Sequence, residues 1–154
     1  MASVLSDEEY MGLAIEQAKL AEAAGEVPVG AVLVKDGEVI AAAGNAPIST
    51  HDPSGHAEMR VIRDAGVALK NYRLNDTVLY VTLEPCPMCA GALVNARVSR
   101  VVYGAQDFKA GAGGTVFELM RSDKLNHKLD VEGGIREPEC RGLLQDFFRS
   151  RRPG

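Results

Sequence analysis

The feature that most constrains this chain is a histidine and a carboxylate two residues apart, followed about thirty residues later by a proline-flanked pair of cysteines. These segments read His56-Ala57-Glu58 and Pro85-Cys86-Pro87-Met88-Cys89. Together they supply three good zinc ligands and one spare carboxylate. A metal ion held by only three protein ligands keeps one coordination position for water, and this open position separates catalytic from structural zinc. A fold that joins the two segments can therefore build a hydrolytic metal centre.

The spacing within each segment indicates where the metal ion would lie. An i, i+2 pair is about 200° apart around a helix axis, so His56 and Glu58 can converge only over the first turn of a helix. Cys86 and Cys89, at i, i+3, share one face of a first turn. We therefore predict that two helix N-termini point at one metal ion at the carboxyl end of a sheet. Glu58, which is not a ligand, would take a proton from water and later deliver it.

Other interpretations of these residues remain open. C-x-x-C alone fits a redox dithiol about equally well, and an isolated histidine is more often a surface residue than a ligand. The two segments together favour a catalytic metal site, but a structural zinc is the alternative, with Cys140, His51 or His127 as fourth ligand. A further alternative is a zinc-stabilised RNA-binding module in which Glu58 is merely a carboxylate at a helix N-terminus.

Chain length, net charge and the number of cysteines limit the classes of protein to which this chain can belong. A chain of 154 residues is expected to form one domain with a continuous core. The first residues are acidic, whereas a signal peptide would begin with basic residues. No apolar run approaches the ~20 residues that a membrane span requires. Three cysteines argue against a disulfide framework. We therefore expect a cytoplasmic protein. The net charge of −4 argues against broad binding of long nucleic acids. The basic segment 149–152 is still compatible with contact to a short nucleic-acid element.

Hydrophobic periodicity and turn signals predict strands that alternate with helices. We expect helices over about 6–24, 56–69, 85–96 and 138–151, strands over 29–34, 38–43, 78–82 and 100–103, and loops over 44–55 and 104–114. Ser6 and Glu9 form a capping box at the start of the first helix. Asp36-Gly37 is a two-residue hairpin signal between the first two strands. This order predicts an α/β fold, a mixed sheet with helices on both faces.

Beyond the metal motif, several segments resemble the bacterial tRNA-specific adenosine deaminases. These segments are Gly44-Asn45-Ala46-Pro47-Ile48, His51-Asp52-Pro53, 56–59, 82–92, 103–109 and the ending from Glu139 to Arg152. The metal motif alone is typical of zinc nucleobase deaminases in general. The ending Asp146-Phe147-Phe148-Arg149 narrows the resemblance to the tRNA family, and the resemblance runs from about Glu9 to Arg152.

The resemblance implies a fold, a reaction and a set of site residues. It implies a cytidine deaminase-like, three-layer α/β/α sandwich with a mixed, mostly five-stranded sheet, and one zinc ion per subunit. It also implies a homodimer that deaminates adenosine to inosine at the wobble position of a tRNA anticodon, in an arginine tRNA. The ligands would be His56, Cys86 and Cys89, with Glu58 as proton shuttle. The substrate-binding residues would be Asn45, Asp107, Lys109, Phe148, Arg149 and Arg152.

For some of these residues a purely structural role is the alternative, although for Asn45 we favour the substrate-binding role. Asn45 suits a turn and Asp107 a loop cap. Adjacent helical residues point about 100° apart, so at most one of Phe147 and Phe148 is expected to face the core fully. Phe108 is bulkier than the family residue at that position, which would change loop packing or the preference for neighbouring nucleotides. The rival enzyme is a deaminase of a free base or nucleoside such as guanine or cytosine, which the sequence pI of about 5.4 suits better.

Overall fold

Residues 4–151, the part of the chain that the computed structural model describes, form five strands and five helices. The strands are β1 (Gly30–Lys35), β2 (Glu38–Gly44), β3 (Thr77–Leu83), β4 (Arg100–Ala105) and β5 (Asp130–Glu132). The helices are α1 (Asp7–Ala23), α2 (Pro47–Thr50), α3 (Ala57–Leu69), α4 (Pro87–Ala96) and α5 (Glu137–Ser150). The predicted α/β class is confirmed.

The strands form one mixed sheet in the order β2-β1-β3-β4-β5. β1 is antiparallel to β2 and β3, whereas β3, β4 and β5 run parallel. The turn between β1 and β2 consists of Asp36 and Gly37, whose φ angles of 52° and 80° are the positive values that a primed two-residue hairpin requires. α4 makes the crossover between the parallel neighbours β3 and β4. The carboxyl end of β3 therefore leads directly into the cysteine segment.

Helices cover both faces of the sheet, which confirms the three-layer arrangement. Leu79, Val81 and Val101 pack with α3 and α4 in one core. Tyr80 and Val102 point the other way and pack with α1 and α5 in a second core. This alternation follows from the two-residue period of a strand, and burial on both faces explains why the strands are almost continuously apolar.

α1 begins and ends where the sequence predicts. The backbone N–H of Glu9 donates to Ser6 Oγ at 3.1 Å, and that of Ser6 donates to the Glu9 carboxylate at 3.2 Å, which completes the capping box. Asp7 fixes this helix start to the sheet, because its carboxylate accepts hydrogen bonds from Tyr80 and Arg100 at 2.6 and 2.8 Å. None of the helices within residues 4–151 has the length and apolarity that crossing a bilayer requires.

Two elements differ from the sequence-based expectation. The segment predicted as loop 44–55 contains the short helix α2, and β5 lies where no strand was predicted from the residues themselves. α2 depends on a distant partner: the buried Glu26 carboxylate accepts hydrogen bonds from the backbone N–H groups of Ile48 and Ser49 at 3.2 and 2.7 Å. β5 is three residues long and pairs only with β4. Neither element carries a local periodicity that could predict it.

Candidate active site

Two helix starts bring the predicted metal ligands together. His56 is the N-cap residue of α3, Cys86 is the N-cap residue of α4, and Cys89 lies in the first turn of α4. Nδ1 of His56 is 3.6 Å from Sγ of Cys86 and 3.4 Å from Sγ of Cys89. The three ligand atoms all lie within 4.8 Å of one another. The predicted convergence of two helix N-termini is confirmed.

These distances fit a single tetrahedral zinc ion. Zn–S bonds of about 2.3 Å and Zn–N bonds of about 2.0–2.1 Å, at the tetrahedral angle, place sulfur and nitrogen about 3.6 Å apart. The observed separations of 3.4 and 3.6 Å match this value. Within residues 4–151, the cluster contains no fourth histidine, cysteine or carboxylate ligand. The donor set is therefore that of a three-ligand site.

The residues considered as a fourth ligand lie elsewhere. Cys140 is buried in the core on the α1 and α5 side of the sheet, where a Cβ placed on Gly104 would lie 2.3 Å from its Sγ. His127 Nε2 is 2.9 Å from the carbonyl oxygen of Val98. His51 is exposed at the end of α2. The geometry therefore does not support the structural-zinc alternative.

The two thiols interact so strongly that only one of them ionises easily. The hydrogen bond from Cys89, assisted by that with His56, lowers the pKa of Cys86 to about 4. The same Cys86–Cys89 interaction, together with burial, raises the pKa of Cys89. Hydrogen bonding to Cys86 also raises the pKa of His56. A divalent cation is the partner that lets both sulfurs ionise at once, so the electrostatics of the cluster also fit a metal ion.

Glu58 lies beside the ligands without joining them. It is the second residue of α3, its side chain is buried with 4% of its surface exposed, and it falls outside the group of ligand atoms. Burial raises the pKa of Glu58 to about 7, and the charge of Cys86 acts in the same direction. A carboxyl group with a pKa near neutrality can both accept and donate a proton at pH 7, which is what general acid–base catalysis requires.

A cavity of about 230 Å³ opens over this cluster. Its lining residues are Val27, Val29, Asn45, Pro47, His56, Glu58, Leu83, Glu84, Cys86 and Asp107. The structure thus brings two of the predicted substrate-binding residues, Asn45 and Asp107, into one pocket with the metal ligands. The cavity is smaller than the roughly 300–1,000 Å³ of pockets for drug-sized ligands. It suits one planar ring system rather than several nucleotides.

Asn45 joins the pocket wall to the start of α3. Its side-chain Oδ1 accepts a hydrogen bond from the backbone N–H of Ala57 at 2.8 Å. This bond satisfies one of the unpaired N–H groups at the helix N-terminus. The Nδ2 amide of Asn45 remains available as a hydrogen-bond donor to a ligand.

Sequence reasoning missed Glu84, a buried carboxylate that organises the glycine-rich loop beside the pocket. Oε1 accepts a hydrogen bond from the backbone N–H of Asp107 at 3.0 Å. Oε2 accepts from the backbone N–H groups of Gly113 and Thr115 at 2.8 and 3.2 Å, and the Thr115 hydroxyl donates to Oε1 at 2.5 Å. Its partners are more than twenty residues away, so no local signal announces this role.

Asp107 acts as a loop cap and also lines the pocket. Its Oδ1 accepts hydrogen bonds from the backbone N–H groups of Lys109 and Ala110 at 2.9 and 3.1 Å. Its own backbone N–H is held by Glu84. Lys109 is exposed and does not line the cavity. Hydrogen bonds therefore hold the backbone of the 107–110 turn on both sides, and its outward-facing side chains are attached to an ordered backbone.

The two adjacent phenylalanines of α5 differ in exposure, as the sequence predicts. Phe147 is buried with 6% of its surface exposed, whereas Phe148 is 50% exposed. Phe148 and Arg149 line a surface groove of about 380 Å³ on α5, together with Arg141, Leu144 and Gln145. We refer to these five residues as the α5 groove. It is distinct from the cavity over the metal ligands. Arg152 lies outside the described residues.

Comparisons with known proteins agree with this geometry. The family model of the MafB19-like deaminases matches residues 5–152. The tRNA-specific adenosine deaminase of Bacillus subtilis (strain 168) is 52% identical over 146 residues, which are 95% of this chain and 91% of that protein. That of Haemophilus influenzae is 48% identical over 95% of this chain and 85% of its own length.

A solved structure from studies of A-to-I editing by tRNA:A34 deaminases at the wobble position of transfer RNA is also similar to this chain. It has a TM-score of 0.85 and 46% sequence identity, covering 88% of this chain and 99% of that one. The overall fold described above therefore has a counterpart among solved structures.

Proposed function

The chain belongs to the MafB19-like deaminase family, and we propose that it hydrolytically deaminates adenosine to inosine at the wobble position of a tRNA anticodon, in an arginine tRNA. The observation that carries the proposal is the convergence of His56, Cys86 and Cys89 beside a buried, unligated Glu58. The similarity to the tRNA-specific adenosine deaminases of two bacteria supports the choice of substrate over a free base or nucleoside.

His56, Cys86 and Cys89 would hold one zinc ion per subunit. When bound through three protein ligands, zinc supplies a water molecule whose pKa is lowered towards neutrality. The fit of the donor atoms to tetrahedral distances supports this assignment. The opposite pKa shifts of the two thiols, lowered at Cys86 and raised at Cys89, also fit a pair that needs a cation before both can ionise.

Glu58 would move protons between the attacking water and the purine. It accepts a proton from the water as the new C–O bond forms at the carbon that bears the amino group, and it delivers a proton to the adjacent ring nitrogen. A second proton transfer to the amino group releases ammonia, so that adenosine and water become inosine and ammonia. The raised pKa of Glu58, about 7, suits a group that must both accept and donate.

The remaining residues would bind and orient the anticodon. The Nδ2 amide of Asn45 would donate a hydrogen bond to the flipped nucleoside, while the bond from the backbone N–H of Ala57 to Oδ1 holds the side chain in place. Asp107 and Lys109 would lie near the anticodon backbone, and Phe148, Arg149 and Arg152 would contact the anticodon loop. A base in such a loop is already unpaired, so moving it into a one-ring pocket costs less than opening a duplex.

The proposal also covers the domain organisation, the cellular location and the oligomeric state of the enzyme. We expect one deaminase domain that spans the chain, a cytoplasmic location and a homodimer whose interface completes the substrate contacts. Sedimentation at several protein concentrations tests the dimer. A monomer at concentrations where the enzyme is fully active would contradict it.

One experiment separates the candidate substrates. Purified, zinc-loaded protein is incubated with an anticodon stem-loop that carries adenosine at the wobble position and, in parallel, with free adenosine, cytidine and guanine. We expect inosine in the RNA and no product from the free compounds. Ammonia release from guanine or cytidine, with the RNA unchanged, would contradict the proposal and support the rival enzyme.

A further inference from the structure

Phe108 is an exposed aromatic side chain on an anchored turn next to the pocket. Its exposed fraction is 65%, and the neighbouring residue, Asp107, lines the cavity over the metal ligands. The turn that carries it is held by the Glu84 carboxylate at one end and by the Asp107 side chain at the other. The aromatic ring is therefore presented to solvent from a backbone that is hydrogen-bonded on both sides.

Arg141 of α5 supports this ring. Its guanidinium carbon is 5.3 Å from the centroid of the Phe108 ring, within the roughly 6 Å of a cation–π contact. The same guanidinium is paired with Glu137 one turn earlier in α5. Arg141 thus covers one face of the phenylalanine. The large exposed fraction of Phe108 leaves the opposite face open to a ligand.

Arg141 also connects this ring to the α5 groove, because it is one of the five residues that line the groove. The surface therefore runs from the pocket through Asp107 and Phe108 to Arg141, and from there to Phe148. Along it, Phe108 and Phe148 present exposed aromatic rings, and Arg141 and Arg149 contribute guanidinium groups. These are the side chains on which unpaired bases stack.

We propose that Phe108, supported by Arg141, is a stacking platform for the unpaired nucleobase that flanks the target adenosine, and so determines the preference for neighbouring nucleotides. This inference rests on the proposed function. The cavity of about 230 Å³ has room for a single ring system, so an adenosine that enters it leaves its stacking neighbour behind. Phe108 offers that neighbour a replacement for the lost stacking contact. A flanking purine, with its larger ring area, is then bound better than a pyrimidine.

The test compares enzyme variants on stem-loops that differ only beside the wobble adenosine. One substrate is intact, and two others lack the base on the 5′ or the 3′ side of the target. For the wild-type enzyme, removal of the stacked base is expected to raise KM about tenfold at one of these two positions. Phe108→Leu is expected to raise KM for the intact substrate by a similar factor, with kcat changed less than about twofold.

The combination of variant and abasic substrate distinguishes stacking from loop packing. If Phe108 stacks on the base, Phe108→Leu has no further effect on the stem-loop that already lacks it, because each change removes the same contact. Phe108→Trp should retain the dependence on the flanking base. Tyr72→Leu is the matched control, since Tyr72 is 80% exposed and also lies against an arginine, Arg73, at 5.2 Å. Tyr72→Leu should leave KM unchanged on both the intact and the abasic stem-loops.

Two results would overturn the inference alone. One is a KM for Phe108→Leu that equals the wild-type value on every stem-loop. The other is an equal penalty on intact and abasic substrates, which would make Phe108 a loop-packing residue. A wild-type enzyme that forms no inosine in any stem-loop overturns the proposed function, and the inference with it.

Discussion

Replacing Glu84 by glutamine keeps the size of the buried side chain but exchanges one acceptor oxygen for an amide donor. If the amide nitrogen occupies the Oε2 position, it faces two backbone N–H groups, those of Gly113 and Thr115. If it occupies the Oε1 position, it faces only the N–H of Asp107, because the Thr115 hydroxyl can rotate and accept instead. The second orientation is therefore favoured, and it leaves the partly buried N–H group of Asp107 without an acceptor.

An unsatisfied buried donor costs about 1–3 kcal/mol. For a chain of this length, each kcal/mol lowers Tm by about 2–4 °C. Glu84→Gln should therefore lower Tm by roughly 2–12 °C, measured by thermal unfolding of the zinc-loaded protein at one fixed concentration. KM for the stem-loop should also rise, because the freed N–H belongs to Asp107 at the pocket wall.

Glu132→Gln is the matched control for this variant. Its carboxylate is paired with Arg100 but is 51% exposed, and exposed ion pairs contribute only about 0–1 kcal/mol. An unchanged Tm for Glu84→Gln would show that the loop N–H groups find other acceptors. The role assigned to this carboxylate as organiser of the loop would then be wrong.

Three further predictions follow from other parts of the structure. Glu58→Gln should lower kcat by about 10²–10⁴-fold. Its zinc content, measured by metal analysis, and its affinity for the stem-loop should stay near the wild-type values. Turnover within twofold of wild type would exclude Glu58 as the proton shuttle. Arg100 lowers the pKa of Asp7 below its ordinary value of 3.8, so the pair stabilises the fold above that pH and the contribution is lost as pH falls through the lower folded value. The Tm difference between wild type and Asp7→Asn should accordingly shrink on acidification, and a difference that grows would contradict the pairing. Gly104→Ala should destabilise by about 1–3 kcal/mol in urea unfolding, because its Cβ would lie 2.3 Å from Cys140 Sγ; the double variant with Cys140→Ala should recover part of that loss.

The features that could be predicted from the sequence are those fixed by neighbours along the chain. The hairpin at Asp36-Gly37 and the capping box at Ser6 depend on residues within three positions of each other. The positions of His56, Cys86 and Cys89 at two helix starts are likewise set locally, whereas their convergence depends on the sheet that brings α3 and α4 together. These parts of the fold and of the site are confirmed because local geometry leaves few other solutions.

The features that sequence reasoning missed depend on carboxylates with distant partners. Glu26 holds α2 from more than twenty positions away, and Glu84 holds the 107–115 loop across a similar separation. Each glutamate stands beside apolar residues in the sequence, but its neighbours along the chain do not indicate that its carboxylate is buried. The sequence identifies the carboxylate but not the loop that will surround it.

The central claim is a zinc ion held by three protein atoms with its fourth position left to water. The most direct measurement is a crystal structure of the zinc-loaded protein with anomalous data collected at the zinc edge. We expect one zinc peak per chain, about 2.3 Å from the sulfurs of Cys86 and Cys89 and about 2.0–2.1 Å from Nδ1 of His56, with a water as fourth ligand. A fourth protein ligand, or zinc bound away from these residues, would contradict the account.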